Sequence, residues 1–156
     1  MILLDTNLLL RLARVTDPNF VTAKTSVDRL LSDGEVVCVV PQNVYEFWAV
    51  ATRPVSANGI GFSVSDCQAE VARIRQVFRL LPDRTTLFDQ WEALVRAHAC
   101  HGRVSFDARL VAAMRTHGLT RLLTFNGTDF RRFPGITVLD PVLVATSTAP
   151  PPSGSP

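Results

Sequence analysis

Met1-Ile-Leu-Leu-Asp5-Thr6-Asn7 is an apolar run that ends abruptly in a carboxylate, a hydroxyl and a carboxamide. Leu8, Leu9 and Leu10 then resume the apolar pattern. A short apolar run bounded by polar residues reads as a buried strand. In an open α/β sheet, ligands bind just beyond the carboxyl ends of such strands. Asp5 therefore stands where a metal or phosphate site would be built. Aspartate is also a favoured helix N-cap, and taken alone Asp5 reads as the cap of a helix starting near Asn7. The acids further along the chain decide between the two readings.

Working outward, strand-like and helical patterns alternate. Residues 2–4 predict a strand and 7–14 a short helix. Pro18 opens a second helix to about Ser32, stopped by Asp33-Gly34. Val36-Val-Cys-Val-Val40 is rich in β-branched residues and reads as the second strand. Pro41 suits the first turn of a helix over 42–52. Residues 53–62, with Pro54, Gly59 and Gly61, read as a loop. Ser63-Val-Ser-Asp66 begins a helix to about Phe78, followed by a short strand, Arg79-Leu-Leu81. Leu87, Trp91, Leu94 and Val95 recur at helical spacing within a helix over 86–100. Another helix covers 106–117, and residues 121–124 and 136–139 are the last strands. This alternation implies parallel strands with crossover helices, hence a three-layer α/β/α sandwich with a mostly parallel sheet. Composition predicts one folded domain over 1–143 and a disordered Pro/Ser-rich tail over 144–156.

A chain of 156 residues, 47% of them hydrophobic, is expected to bury about two-thirds of its unfolded surface in one domain. The net charge of +2 is too small to argue for a nucleic-acid partner by itself. Lys24 is the only lysine among 16 basic residues, so the other 15 are arginine. Arginine forks match phosphate oxygens as lysine cannot, although a GC-rich genome produces the same bias. Cys38, Cys67 and Cys100 form no C-x-x-C pair and predict reduced thiols in a cytoplasmic protein. No apolar run approaches the length of a membrane span, and the opening residues lack the basic segment of an export signal.

Most of the 14 acids have ordinary explanations as turn or solvated helix residues. Asp17, Asp33, Asp83 and Asp140 sit beside proline or glycine and read as turn residues. Three others are harder to dismiss. Glu46 lies one turn into a helix among Val44, Tyr45, Phe47 and Trp48, although glutamate is almost never buried unpaired. Asp107 lies just inside a helix N-terminus, where acids are also favoured for electrostatic reasons. Asp129 follows the strand at 121–124 directly, in what reads as an Asx-turn loop. With Asp5, these acids fall on one rim of a parallel sheet. Like charges at about 4 Å cost on the order of 4 kcal/mol per contact at an effective dielectric of 20, before screening. Such a cluster persists if a cation neutralises it or protons are retained. Hard oxygen ligands without His or Cys point to Mg²⁺ or Mn²⁺ rather than zinc. His98, His101 and His117 lie near helix ends and show no ligand-like pairing.

The order Asp5, Glu46, Asp107, Asp129 resembles the PIN-domain nucleases, and within them a VapC-type toxin of a type II toxin–antitoxin pair. The resemblance covers residues 1 to about 141. It rests on Leu3-Leu-Asp5-Thr6-Asn7-Leu8, on Phe106-Asp107-Ala108-Arg109-Leu110-Val111-Ala112-Ala113, and on Leu123-Thr124-Phe125-Asn126-Gly127-Thr128-Asp129-Phe130 with the strand at 136–139 and Pro141. It implies that Asp5 and Asp107 ligate Mg²⁺ or Mn²⁺ directly. Glu46 and Asp129 would complete the acidic pocket, and Thr6 and Asn126 would support it. Phe106 departs from the smaller, His or Tyr side chain common before the third acid, which bears on access to the pocket rather than on a ligand. The implied activity is metal-dependent endonucleolytic cleavage of RNA, with Arg11, Arg14, Arg131 and Arg132 as candidate phosphate contacts. The implied partners are a cognate antitoxin covering the acidic rim and a second copy of the chain in a homodimer. A haloacid-dehalogenase-type phosphatase needs a second Asp where Asn7 stands and a late Lys, so it does not fit. A non-catalytic PIN-like module binding RNA or protein is the alternative.

Overall fold

In the computed structural model, which describes residues 1–147, the opening apolar run is strand β1 (Ile2–Leu4), buried throughout. The other strands are β2 (Val37–Val39), β3 (Arg79–Leu80), β4 (Arg121–Leu123) and β5 (Thr137–Leu139). They form one sheet in the order β3-β2-β1-β4-β5, parallel throughout. The helices are α1 (Thr6–Leu12), α2 (Phe20–Ser32), α3 (Pro41–Ala51), α4 (Val64–Val77), α5 (Leu87–Ala97), α6 (Val104–Thr116), α7 (Gly127–Phe130) and α8 (Pro141–Thr146). The expected three-layer sandwich is borne out.

Side chains alternate across a strand, so β1 feeds both layers. Leu3 packs into a cluster with Leu94, Leu110 and Met114 of α5 and α6. Ile2 and Leu4 face the opposite cluster, with Leu8, Val27, Phe47 and Ile74 of α1 to α4. A strand buried on both faces reads as a continuous apolar run, which is why Ile2-Leu3-Leu4 needs no polar alternation. Glu35 fastens the start of this strand: Arg121 donates to its two oxygens at 2.6 and 2.7 Å, and the N-terminal amine lies 3.7 Å away. Cys38, Cys67 and Cys100 are free. No helix among the described residues is long and apolar enough to cross a membrane.

β1 pairs with β2 on one side and β4 on the other. The strand order therefore reverses at β1, making the crevice beyond β1 and β4 the topological switch point where ligands of open α/β sheets bind.

Two elements correct the sequence reading. The expected loop after β4 holds α7, a single turn. Asp140 is a helix cap rather than a simple turn residue: its side chain accepts from the Val142 amide at 2.8 Å and Pro141 follows at the first helical position. The resulting α8 carries the helical chain to Thr146, past the boundary expected at 143, with Val144 packed on the core. The rest of the expected tail, 148–156, lies outside the described residues.

Candidate active site

Register explains the first acid. Leu4 pairs with Leu123, and the Asp5 amide donates to the Leu123 carbonyl at 3.0 Å, so Asp5 and Thr124 leave the sheet side by side. Asp5 occupies the N-cap position of α1, yet its carboxylate makes no capping hydrogen bond. The capping reading is corrected in that respect. Its Oδ2 instead accepts from the Asn7 amide nitrogen and the Thr124 hydroxyl, both at 2.6 Å. Asn7 Nδ2 also donates to Thr124 Oγ1 at 2.9 Å, closing a small polar triangle. Burial pushes the Asp5 carboxyl above its ordinary value. The Thr124 hydroxyl and nearby backbone amides oppose that rise, and the charge of Glu46 adds to it.

Glu46 is placed from α3, which starts where β2 ends. The Thr6 hydroxyl donates to its Oε2 at 2.6 Å and Gln42 Nε2 to its Oε1 at 2.8 Å. Behind Thr6, the fully buried Asn43 donates to its hydroxyl at 3.3 Å while its own oxygen accepts from the Val40 amide at 2.8 Å. Gln42 Nε2 donates a second bond, at 2.9 Å, to the carbonyl of Phe106. One buried amide thus ties Glu46 to the turn that carries Asp107. Arg109 donates to Gln42 Oε1 at 3.1 Å and to Asp83 at 2.7 Å.

Asp107 lies in the first turn of α6. Its carboxyl is pushed up from 3.8 to about 6, first by burial and then by the charges of Asp129, Asp5 and Glu46, with Arg103 opposing. The acids named from the sequence therefore act on one another across one rim. Among the described residues, no group of three or more His, Cys, Asp or Glu side chains is arranged to hold a metal as it stands. The donor chemistry nonetheless fits a hard divalent cation: every candidate ligand is a carboxylate, and their mutual repulsion is what such an ion relieves. The histidines stand elsewhere. His117 contacts the Pro82 carbonyl and Arg84, and His98 packs edge-on against Phe133.

Other expected residues part company with the site. Thr6 donates to an acid, Glu46, at 2.6 Å. Asn126 does not do so by its side chain: it is exposed, and its backbone amide donates to Thr124 Oγ1 at 2.9 Å. Arg11 is half-buried, donating to the Asn7 carbonyl at 3.0 Å with its guanidinium 4.4 Å from the Phe125 ring centre. Arg14, Arg131 and Arg132 are exposed. Sequence reasoning missed Thr124, Gln42, Asn43 and Arg103 as site residues. Thr124 had a signal: pairing the first strand with 121–124 in parallel places it beside Asp5.

The chain belongs to the PIN domain family, which it matches over residues 2–136. It is similar to the Mycobacterium tuberculosis toxin VapC20, described as cleaving the sarcin–ricin loop. The two share 26% identity at a TM-score of 0.61, covering 83% of this chain and 92% of that one. It shares its fold with VapBC2 from Rickettsia felis, solved bound to promoter DNA, at 13% identity and a TM-score of 0.67, covering 90% and 98%. FitAcB from Neisseria gonorrhoeae has that fold too, at 23% identity and a TM-score of 0.61, again covering 90% and 98%. No curated protein sequence matches the chain.

Proposed function

We propose that this protein is a divalent-metal-dependent endoribonuclease, the toxin of a VapBC-type toxin–antitoxin pair. The observation that carries this reading is the convergence of Asp5, Glu46 and the turn bearing Asp107 at the switch point of a PIN-domain sheet, tied together through Thr124, Thr6 and Gln42. Asp5 and Asp107 would hold Mg²⁺ or Mn²⁺ directly, with Glu46 and Asp129 completing the pocket. When bound, such an ion lowers the pKa of its water and stabilises charge on a phosphoryl oxygen. The chain's own residues do the positioning. Thr124 and Asn7 hold the orientation of Asp5, and Thr6 and Gln42 hold both oxygens of Glu46. Asp107 must give up its proton before it can act as a ligand. Arg103, whose charge opposes the rise of the Asp107 carboxyl, would meet a substrate phosphate.

The test is cleavage of structured RNA by the purified protein with Mg²⁺, with EDTA, and by Asp5→Asn. Cleavage is expected only with the ion and the native acid. Cleavage indifferent to both EDTA and the substitution would sink the metal mechanism. Titration with Mn²⁺ separates the enzyme from a binding module, because the module would bind no metal at millimolar concentration.

The partner is an antitoxin, in keeping with relatives solved as toxin–antitoxin complexes. A groove among α1, α2 and α4, lined by apolar Leu9, Val27 and Ile74 and by charged Lys24, Asp28, Glu70 and Arg73, is the candidate seat for an antitoxin segment. Co-purification with the neighbouring gene product tests the pairing. Sedimentation at micromolar concentration tests the homodimer, which a monomer would refute.

A further inference from the structure

A second groove, of about 430 Å³, is lined by Arg84, Thr85, Leu87, Phe88, Trp91 and Arg109. Its size falls within the roughly 300–1,000 Å³ of ligand clefts. We infer that it is a stacking site for an unpaired base of a single-stranded RNA loop. The inference rests on the reading above that RNA is the substrate, and goes beyond it by naming the form of RNA recognised.

The floor is aromatic and partly fixed. Phe88 presents its ring to solvent, 64% exposed. Its ring centre lies 5.5 Å from that of Trp91 at a tilt of 47°. Trp91 is anchored from behind: it packs on the core, and its Nε1 donates to the Ser105 carbonyl at 2.9 Å. Phe88 rests against this fixed ring, which limits the freedom it has to lose when a base stacks on it.

The walls are cationic. Arg84 and Arg109 line the groove and no acidic side chain does. Asp83 offsets part of the Arg109 charge, at 2.7 Å, and Arg84 Nε donates to His117 Nδ1 at 3.3 Å. Aromatic faces interleaved with guanidinium planes are what unstacked bases and their phosphates bind.

Position ties the groove to the chemistry. Arg109 reaches Gln42, and Gln42 reaches both Glu46 and the Phe106 carbonyl. Ser105, which holds Trp91, lies two residues before Asp107. A base stacked on Phe88 would hold the neighbouring backbone near the acidic rim. A duplex presents its bases already stacked, so the groove selects a loop.

The experiment uses the full chain in EDTA, which halts cleavage, and an RNA hairpin with 2-aminopurine in its loop. Binding is read by fluorescence quenching. Phe88→Ala is expected to weaken hairpin binding about tenfold, the loss for one stacked base, and to abolish quenching. Phe88→Tyr should restore both, and binding to a duplex of equal length should not change. Wild-type affinity of Phe88→Ala for the hairpin, or equal weakening for hairpin and duplex, overturns the inference. So does conversion of a dimer to monomers by Phe88→Ala in sedimentation, which would make the groove a face between copies. A wild-type protein that quenches the probe but cleaves no RNA with Mg²⁺ refutes the nuclease reading and supports the stacking site.

Discussion

Replacing Asp107 by asparagine should stabilise the metal-free protein while removing its activity. The carboxyl of Asp107 is raised from 3.8 to about 6 by burial and by its acidic neighbours. At 1.36 kcal/mol per unit, that rise of about two units sets an upper limit near 3 kcal/mol on what its ionisation costs the fold at neutral pH. Asp107 is half-exposed, so solvent screening reduces the figure to about 1–2 kcal/mol. For a chain of this length, that corresponds to a rise in Tm of about 3–6 °C. A folded pKa above the unfolded one contributes stability that is complete below the unfolded value and lost as pH rises through the folded value. The gain from Asp107→Asn should therefore be full at pH 7.5, shrink below pH 6 and vanish near pH 4. Thermal denaturation in EDTA at those pH values measures it. Added Mg²⁺ should raise the Tm of the wild type and not of the variant. An unchanged or lower Tm at pH 7.5, or a gain that persists at pH 4, would refute the coupling of these acids.

Three further outcomes follow from particular contacts. Thr124→Val keeps the shape of the side chain but removes the hydroxyl bonded to Asp5 at 2.6 Å. Mn²⁺ affinity, read by calorimetry, should fall about 10–100-fold, and unaltered binding would show that Thr124 does not orient the acid. Glu35 is held below its ordinary pKa chiefly by hydrogen bonds from Arg121, so its stabilising effect is present above the unfolded value of 4.5 and lost as pH falls through the lowered one. Glu35→Gln should thus cost up to about 1 kcal/mol in urea unfolding at pH 7 and far less at pH 3; an equal loss at both would contradict the ion pair. Gly127→Ala would bring a Cβ to 2.8 Å from Val138 Cγ1, and a β-branched neighbour yields poorly. The substitution should shift α7 with Asp129 and lower cleavage while the sheet stays folded; full activity would show that the position of Asp129 is not critical.

The residues legible in the sequence were those whose local pattern carries the signal. Ile2-Leu3-Leu4 ending in Asp5 declares a strand and its rim, and Asp107 declares a helix start. Residues that act through long-range contact were silent. Thr124 lies 119 positions from Asp5, and Gln42 lies 64 from Phe106. Only the β1–β4 register and the seating of α3 against α6 bring them together. Asn126 was implied by the resemblance as a supporting position, and the chain turn at α7 leaves its side chain exposed. Asp140-Pro141 reads as a turn in the sequence, and the cap bond to Val142 with the packing of Val144 on the core makes it the start of α8.

The partners of the acids share one chemical property. Asp5 is held by a hydroxyl and an amide, and Glu46 by a hydroxyl and an amide. Among the described residues, none of the ion pairs involves Asp5, Glu46, Asp107 or Asp129. A lysine or arginine within the cluster would relieve its repulsion, and would also occupy the place and the charge that a divalent ion needs. Neutral donors orient a carboxylate without discharging it. The raised carboxyl of Asp107 follows directly, because nothing in the rim neutralises its neighbours fully. The fold therefore keeps an electrostatic cost at the switch point, carried by the buried layers on either side of β1. On the proposed reading, a cation from solution or from an antitoxin side chain would relieve that cost.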